Sequence, residues 1–228
     1  MRFVTLLYGL AFTVLLSAAS NAATVTTILT LDAATDAVNT FDLSLADGTS
    51  ETTISGGMVA SLEIDRVSGV ITSLEFIGGD IVTSSWVMNV PEFGGINVTA
   101  TEGTATADTD PEPPTQGNVT NGEFAANEHF IRLLSGTVQP GDQTLAGVDI
   151  EGTGTGTITS TRVDDEFEIV FSMNVDDSED FQGPMGVVPL GIAGTVTARG
   201  FVTAIPEPSS AFALVACLGA FVSCRRKR

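Results

Sequence analysis

Four acidic side chains within five positions form a dense group of potential metal ligands in this 228-residue sequence. Asp176, Asp177, Glu179 and Asp180 follow a stretch that reads as a strand, so we expect them on a loop. Carboxylate oxygens on a flexible loop are the ligands that Ca²⁺ takes in proteins. The spacing departs from an EF-hand, because Phe181 stands where that loop requires glycine. Calcium is the only cofactor that the sequence suggests, with these four residues as its candidate ligands.

Carboxylates could also act in pairs. Two of them about 5 to 9.5 Å apart in a cleft hydrolyse glycosidic bonds. The chain has 28 Asp and Glu residues, but no motif selects two of them. A carbohydrate-active hydrolase that uses carboxylates therefore stays open as an alternative function.

The sequence contains few residues that could serve nucleophilic catalysis or zinc binding. His129 is the single histidine, and both cysteines, Cys217 and Cys224, lie near the C-terminus. A zinc site of His and Cys ligands cannot be assembled from them in the body of the chain. No nucleophile-elbow motif marks a serine, and His129 reads as an ordinary residue at the entry to a strand. We therefore expect a protein that is not an enzyme, with no catalytic residue to name.

The C-terminus carries a distinctive series of segments. Pro206, Glu207 and Pro208 precede an apolar run over residues 211–224. The prolines fix φ and hold the preceding residues extended, so the tripeptide is predicted to be exposed and unable to join a sheet fully. As a helix the apolar run would span about 21 Å, short of a hydrocarbon core of about 30 Å. The basic residues that follow predict a cytoplasmic end beside a short transmembrane helix: Arg225, Arg226, Lys227 and Arg228.

The N-terminus reads as an export signal. Arg2 supplies the only charge among the first 31 residues, residues 3–16 are almost wholly apolar, and residues 17–23 are small. This is the layout of a secretory signal peptide. Ser20, Asn21 and Ala22 fit the small-x-small rule, so we place the cleavage after Ala22 and the signal peptide at residues 1–22, with a cut after Ala23 as the alternative.

The segment between the two signals is strongly acidic. Residues 23–205 hold four arginines and no lysine against 27 of the 28 acids, a net charge of −23. Such a body is repelled by nucleic acid and anionic lipid, which excludes a nucleic-acid partner. It also contains no cysteine, so disulfides are excluded there.

The last 24 residues resemble the PEP-CTERM sorting signal, through the tripeptide at 206–208, the apolar run and the basic end in combination. A second Pro-Glu-Pro at residues 111–113 lacks the apolar run and reads as linker. The resemblance implies that an exosortase, a membrane-embedded enzyme, recognises Pro206, Glu207 and Pro208 and cuts nearby. The implied partners are the secretion machinery, the exosortase, the inner membrane transiently, and exopolysaccharide. The implied location is a membrane-anchored intermediate, then the cell surface or the extracellular space.

The body shows period-two patterns rather than helical ones. In residues 166–175 alternate positions are apolar, and residues 156–163 precede them across Asp164-Asp165, which predicts a hairpin. Residues 60–65 and 70–77 flank a turn, and residues 80–90 complete a predicted meander. Short strands with glycine-rich turns predict an all-β fold, an antiparallel β-sandwich or jelly-roll-like body followed by one C-terminal hydrophobic helix.

Three segments follow from these patterns: the signal peptide at 1–22, one β-sandwich domain at 23–204 and the sorting signal at 205–228. Residues 101–127 are polar and turn-rich and are expected to form a flexible acidic loop. The sole tryptophan, Trp86, sits in an apolar stretch and reads as core rather than as a sugar platform. The expected role is structural or matrix-associated, with a calcium-dependent carbohydrate-binding adhesin as a further alternative.

Overall fold

The computed structural model describes residues 22–31, 39–109, 117–183 and 186–205. The predicted all-β class is confirmed: the described chain forms strands, and its only helical pieces are two 3-10 turns, Pro91–Phe93 and Ala126–Glu128. The strands are β1 Ala22–Leu31, β2 Thr40–Leu45, β3 Gly48–Asp65, β4 Ile71–Thr83, β5 Trp86–Val90, β6 Ile96–Ala100, β7 Gly103–Thr109, β8 Gly117–Asn118, β9 Glu123–Ala125, β10 His129–Leu133, β11 Thr137–Gln139, β12 Gln143–Thr144, β13 Asp149–Val163, β14 Glu166–Gly183 and β15 Gly186–Thr203.

Eleven strands belong to one antiparallel sheet that closes into a barrel with eight strand positions around its circumference. At three of these positions, two strands lie end to end in place of one long strand. β1 and β2 lie end to end along β3, with Leu31 opposite Gly56 and Thr40 opposite Thr53. In the same way β7 and β8 both pair with β4, and β9 and β10 both pair with β13. The circuit closes where β15 pairs with β2 and β1.

The expected sandwich is therefore replaced by a barrel, because the first and last positions of the sheet hydrogen-bond to each other. Period-two alternation reports which side chains face inward, but both a sandwich and a barrel bury one face of each strand. Nothing in the alternation of residues 166–175 distinguishes the two arrangements. The predicted C-terminal helix and sorting signal lie outside the described residues.

Inward-facing residues of the long strands fill the barrel. Five side chains of β14 are at most 3% exposed, as the alternation of residues 166–175 predicts: Phe167, Ile169, Phe171, Met173 and Val175. Ala60, Leu62 and Ile64 of β3 are fully buried as well. These residues join one contiguous core that runs through the barrel and into a second, smaller sheet.

The second sheet, which we call the cap, contains four strands in the order β12-β11-β6-β5. β5 and β6 are inserted between β4 and β7, and β11 and β12 between β10 and β13. Both insertions leave the barrel at the same end, and Trp86, Met88 and Val90 turn their side chains into the core. At Gly48 the cap approaches so closely that a Cβ would lie 2.7 Å from the carbonyl oxygen of Asn89. The cap thus covers one end of the barrel.

Two predicted segment boundaries are wrong. The expected strand over residues 80–90 is two strands, because β4 continues through Gly78 and Gly79 to Thr83 and the chain turns at Ser84-Ser85. The expected loop at residues 101–127 includes β7, β8 and β9, whereas residues 110–116 are not described. Its polar threonines mislead because Thr104 and Thr106 lie on the outer face, while Ala105 and Ala107 fill narrow interior positions and Thr109 is buried beside them.

Candidate functional site

The end of the barrel opposite the cap, which we call the base, is where the described chain begins and ends. Ala22 pairs with Asp65 at the end of β3. The turn between β3 and β4, residues 66–70, crosses the barrel opening, and the Ser160 hydroxyl donates a hydrogen bond of 2.5 Å to the carbonyl of Gly69. The turn is stabilised by the Asp65 carboxylate, which accepts hydrogen bonds from the amides of Val67 and Ser68. These backbone hydrogen bonds lower the pKa of Asp65.

The base also holds the last described residues of the chain. The amide of Ala204 donates to the carbonyl of Asp165 and the amide of Ile205 to the carbonyl of Arg66, each at 2.8 Å. The Arg66 guanidinium donates from Nε to the carbonyl of Thr203 at 2.9 Å. The folded body therefore extends to Ile205, one residue before the predicted sorting motif.

The predicted sorting motif and the basic end of the chain both lie outside the described residues. They comprise Pro206, Glu207, Pro208, Arg225, Arg226, Lys227 and Arg228. Ala22, the predicted cleavage position, is the first described residue and belongs to β1. The structure thus brings together the two chain positions that border the predicted signals, Ala22 and Ile205, at one end of the barrel.

The base exposes apolar side chains beside two arginines. Val70 is 57% exposed, Val163 45% and Ile205 39%. Arg66 and Arg162 make no ion pair with a described acid. Arg162 instead donates from Nε to the carbonyl of Asp164 at 3.3 Å.

The other two described arginines are neutralised by carboxylates. Arg132 binds Asp149, and Arg199 binds Glu168, each pair at 2.9 Å. Exposed pairs of this kind contribute little to stability. The arginines of the base are therefore the ones whose charge is not met by an acid within the described chain.

The acidic segment at 176–180 lies in a strand, which corrects the expectation of a loop. β14 continues without a break to Gly183 and pairs with β15 along its full length. Successive side chains of a strand face opposite sides. Asp176 and Asp180 are exposed on the outer side, whereas Asp177 and Glu179 are half-buried on the inner side. The four candidate ligands are therefore divided between two faces.

On the inner side, Asp177 already accepts hydrogen bonds, and Glu179 lies close to other acids. The Asp177 carboxylate accepts from the amides of Glu151 and Ser178, at 3.0 and 2.7 Å. Burial, and then the charges of Asp177 and other nearby acids, raises the pKa of Glu179. In the described part of the chain, no group of three or more His, Cys, Asp or Glu residues is arranged to hold a metal ion.

A small cavity lies between the barrel and the cap. Its volume is about 100 Å³, and its walls are mostly apolar, with Phe41, Trp86 and Ile192 among them and Glu179 at the edge. Sites for small organic ligands are larger, roughly 300 to 1,000 Å³. Trp86 is 8% exposed, which confirms the prediction that it belongs to the core. The cavity is not large enough to enclose a sugar.

His129 is buried in the barrel rather than presented to solvent. It begins β10 as predicted and is 0% exposed. The Thr109 hydroxyl accepts from the amide of Phe76 at 2.7 Å and shares a hydrogen bond of 3.1 Å with His129 Nδ1. The Nε2 atom has no hydrogen-bond partner, and the rings of Phe76 and Phe124 stand nearly perpendicular to the imidazole. Burial lowers the pKa of His129 to about 4, so the ring is neutral at pH 7.

Comparison with known proteins adds no relative. Searches against protein-family models, curated proteins and solved structures found no match to this chain. None of the helical turns in the described part of the chain has the length and apolar character that crossing a membrane requires.

Sequence reasoning did not single out the residues that organise the base. Asp65 and Arg66 are separated from Thr203 and Ile205 by more than 130 positions, and no local pattern joins them. One local signal is present: Asp65 followed by Arg-Val-Ser-Gly is typical of an Asx turn, in which the side chain binds backbone amides two or three residues on. The cap was not predicted, because its strands are too short to carry a clear period.

Proposed function

We propose that this chain is an exported, non-enzymatic protein of the cell surface or extracellular matrix, delivered by a PEP-CTERM sorting tail. The observation that supports the proposal best is the geometry of the base. Ala22 and Ile205 lie at the same end of the barrel, so both predicted signals adjoin one face of a folded body. A body built in this way would fold outside the membrane while the tail remains in it.

In this proposal the signal peptide is removed after Ala22 and the body crosses the membrane. Residues 211–224 then hold the chain as a short transmembrane helix, with Arg225, Arg226, Lys227 and Arg228 on the cytoplasmic side. An exosortase recognises Pro206, Glu207 and Pro208 and removes the tail. The product passes to the surface or the surrounding matrix, where exopolysaccharide is the proposed neighbour.

A structural role for the body is supported by what fills it. The barrel interior is packed with side chains, the cavity beneath the cap is about 100 Å³, and His129 is enclosed by phenylalanines. Acids that would suit a hydrolase line two places: the cavity beneath the cap, with Glu179 and Asp180, and an open groove of about 560 Å³ on the outer face, with Asp42, Glu51 and Asp176. Polysaccharide turnover that is lost in the Glu179→Gln variant would favour the carbohydrate-active alternative over this proposal.

The sorting proposal is tested by the intact mass of the protein recovered from the cells that make it. We expect an N-terminus at Ala23 and a chain that has lost most of residues 206–228. Replacement of Pro206, Glu207 and Pro208 by alanine should leave the tail attached. The chain supplies its own matched control, because alanine at Pro111, Glu112 and Pro113 alters an identical tripeptide and should leave processing unchanged. An unprocessed wild-type chain, or equal loss of processing in both variants, would contradict the proposal.

A further inference from the structure

We propose that the base of the barrel rests on the lipid bilayer while the tail is still attached, so that the cap faces away from the membrane. This inference rests on the proposed function, because it requires residues 211–224 to be held in the membrane. The partner is the phospholipid headgroup layer on the side to which the body is exported. The contact surface comprises the turn at 66–70, the turn between β13 and β14, and Ile205.

The length of chain between the body and the apolar run sets the distance. Ile205 is hydrogen-bonded to Arg66, so the body has no slack before residue 206. Residues 206–210 are the only spacer before the apolar run begins at Ala211. Five residues span at most about 17 Å when fully extended, so no rearrangement of this spacer can lengthen it. Two of the five are prolines, which fix φ and limit the conformations of the spacer. The base is therefore confined to the headgroup region or just above it.

The dimensions of the barrel exclude the opposite orientation. β14 runs from the base to the cap end over 18 residues. At about 3.3 Å per residue this is roughly 60 Å of strand, or about 45 Å along the barrel axis for a typical strand tilt. A spacer of about 17 Å cannot bring the cap to the bilayer without unfolding the base. The base is the only end that can make contact.

The chemistry of the base suits an uncharged lipid surface better than an anionic one. Exposed Val70, Val163 and Ile205 can enter the boundary between headgroups and acyl chains, while Arg66 and Arg162 reach phosphates. Asp65, Asp164 and Asp165 lie at the same end and outnumber the two arginines, so the base carries no net positive charge. The contact is weak by itself, and the short spacer compensates by holding the base at a high effective concentration near the lipid.

The test uses the chain from Ala23 to Arg228 in vesicles of phosphatidylcholine and phosphatidylethanolamine. Because the body contains no cysteine, the Cys217→Ser and Cys224→Ser changes leave a background for one labelled position. Val70→Cys places a fluorophore at the base, and Val87→Cys places it on the cap at similar exposure, 57% against 61%. Lipids with a spin label on the headgroup then quench a fluorophore that lies near the bilayer surface.

We expect the label at position 70 to be quenched on the order of three times more than the label at 87, as the short spacer requires. Insertion of about ten Gly and Ser residues between Ile205 and Pro206 should reduce quenching at 70 toward the value at 87. Vesicle flotation separates two failures. A chain that floats with the vesicles but shows equal quenching at both positions would overturn this inference alone. A chain that does not float would overturn the tail anchor, and with it both proposals.

Discussion

At the scale of single residues, His129 shows how an apparently chemical side chain can serve packing instead. Its Nδ1 shares a hydrogen bond with Thr109, and its buried Nε2 has no hydrogen-bond partner among the described residues. A neutral imidazole tolerates this environment, because an uncharged polar group costs far less to bury than an ion. A charged imidazolium would need water or a carboxylate. The residue is therefore an element of the core that depends on pH.

The expected consequence is a loss of stability in mild acid. The pKa of His129 is about 4 in the folded protein and 6.5 in its ordinary state. Since the unfolded chain binds the proton first, the free energy of unfolding falls as the pH drops from about 6.5 toward 4. The loss reaches roughly 3 kcal/mol by pH 4 and grows little below it.

Urea unfolding of the wild type and of His129→Gln at pH 7 and pH 4 measures this effect. The carboxylates titrate equally in both proteins, so their contribution cancels when the pH dependence of one is subtracted from that of the other. The wild type should lose about 3 kcal/mol more than the variant between the two values. A parallel pH dependence would show that His129 is not desolvated as the structure requires.

At the scale of elements, the turn at 66–70 carries a sharp steric constraint. Gly69 has φ of +82°, and a Cβ there would lie 2.6 Å from the Ser160 hydroxyl and 2.7 Å from the Phe167 ring. Gly94 has nearly the same φ, +81°, with no atom within 4 Å of the position that a Cβ would occupy. Alanine substitutions at the two glycines therefore separate the energetic cost of left-handed backbone strain from the cost of steric crowding.

Gly69→Ala should destabilise the protein by about 3 kcal/mol, from left-handed backbone strain and overpacking together. Gly94→Ala should cost only the strain, about 1 to 2 kcal/mol. Thermal or denaturant unfolding of both variants measures the difference. Equal losses would mean that the turn does not close the base as tightly as described.

For individual strands, some features can be predicted from the sequence and others cannot. The alternation in residues 166–175 gave the buried side chains of β14 correctly, because period two follows from strand geometry alone. The acids at 176–180 were misplaced on a loop, because charge is a poor guide where a strand passes the rim of a barrel. There the ladder with β15 continues although one face meets water.

Closure, the cap and the base depend on contacts between distant segments. The pairing of β15 with β2, and the hydrogen bond from Ile205 to Arg66, have no local signature. The sequence predicts a body between two signals, and those segment boundaries stay predictions. It does not reveal that Ala22 and Ile205 lie at the same end of the barrel.

At the scale of the whole molecule, the dominant property is acidity. Four arginines stand against 27 acids in the body, and the acids repel one another across a surface whose few arginines are partly neutralised in pairs. Net charge of this size favours solubility but disfavours the compact state. Stability should therefore depend on ionic strength more than on a particular cation.

We expect the melting temperature to rise as NaCl increases from about 10 mM to 1 M, because the Debye length falls from about 30 Å to 3 Å. CaCl₂ at matched ionic strength should raise it by a similar amount. Differential scanning fluorimetry or calorimetry measures both. A larger rise with calcium that disappears in Asp177→Asn with Glu179→Gln would instead favour the calcium-dependent adhesin.

The hydrogen bonds along β15 have a mechanical consequence. The chain leaves the barrel at the end of a strand of 18 residues that is paired to β14 along its full length, and to β1 and β2 on the other side. A pull on the tail, against a body gripped at the cap, acts along this strand and perpendicular to its ladder bonds. The bonds then share the force in shear instead of opening one after another, so the fold resists unfolding in the direction in which the proposed tail anchor would pull.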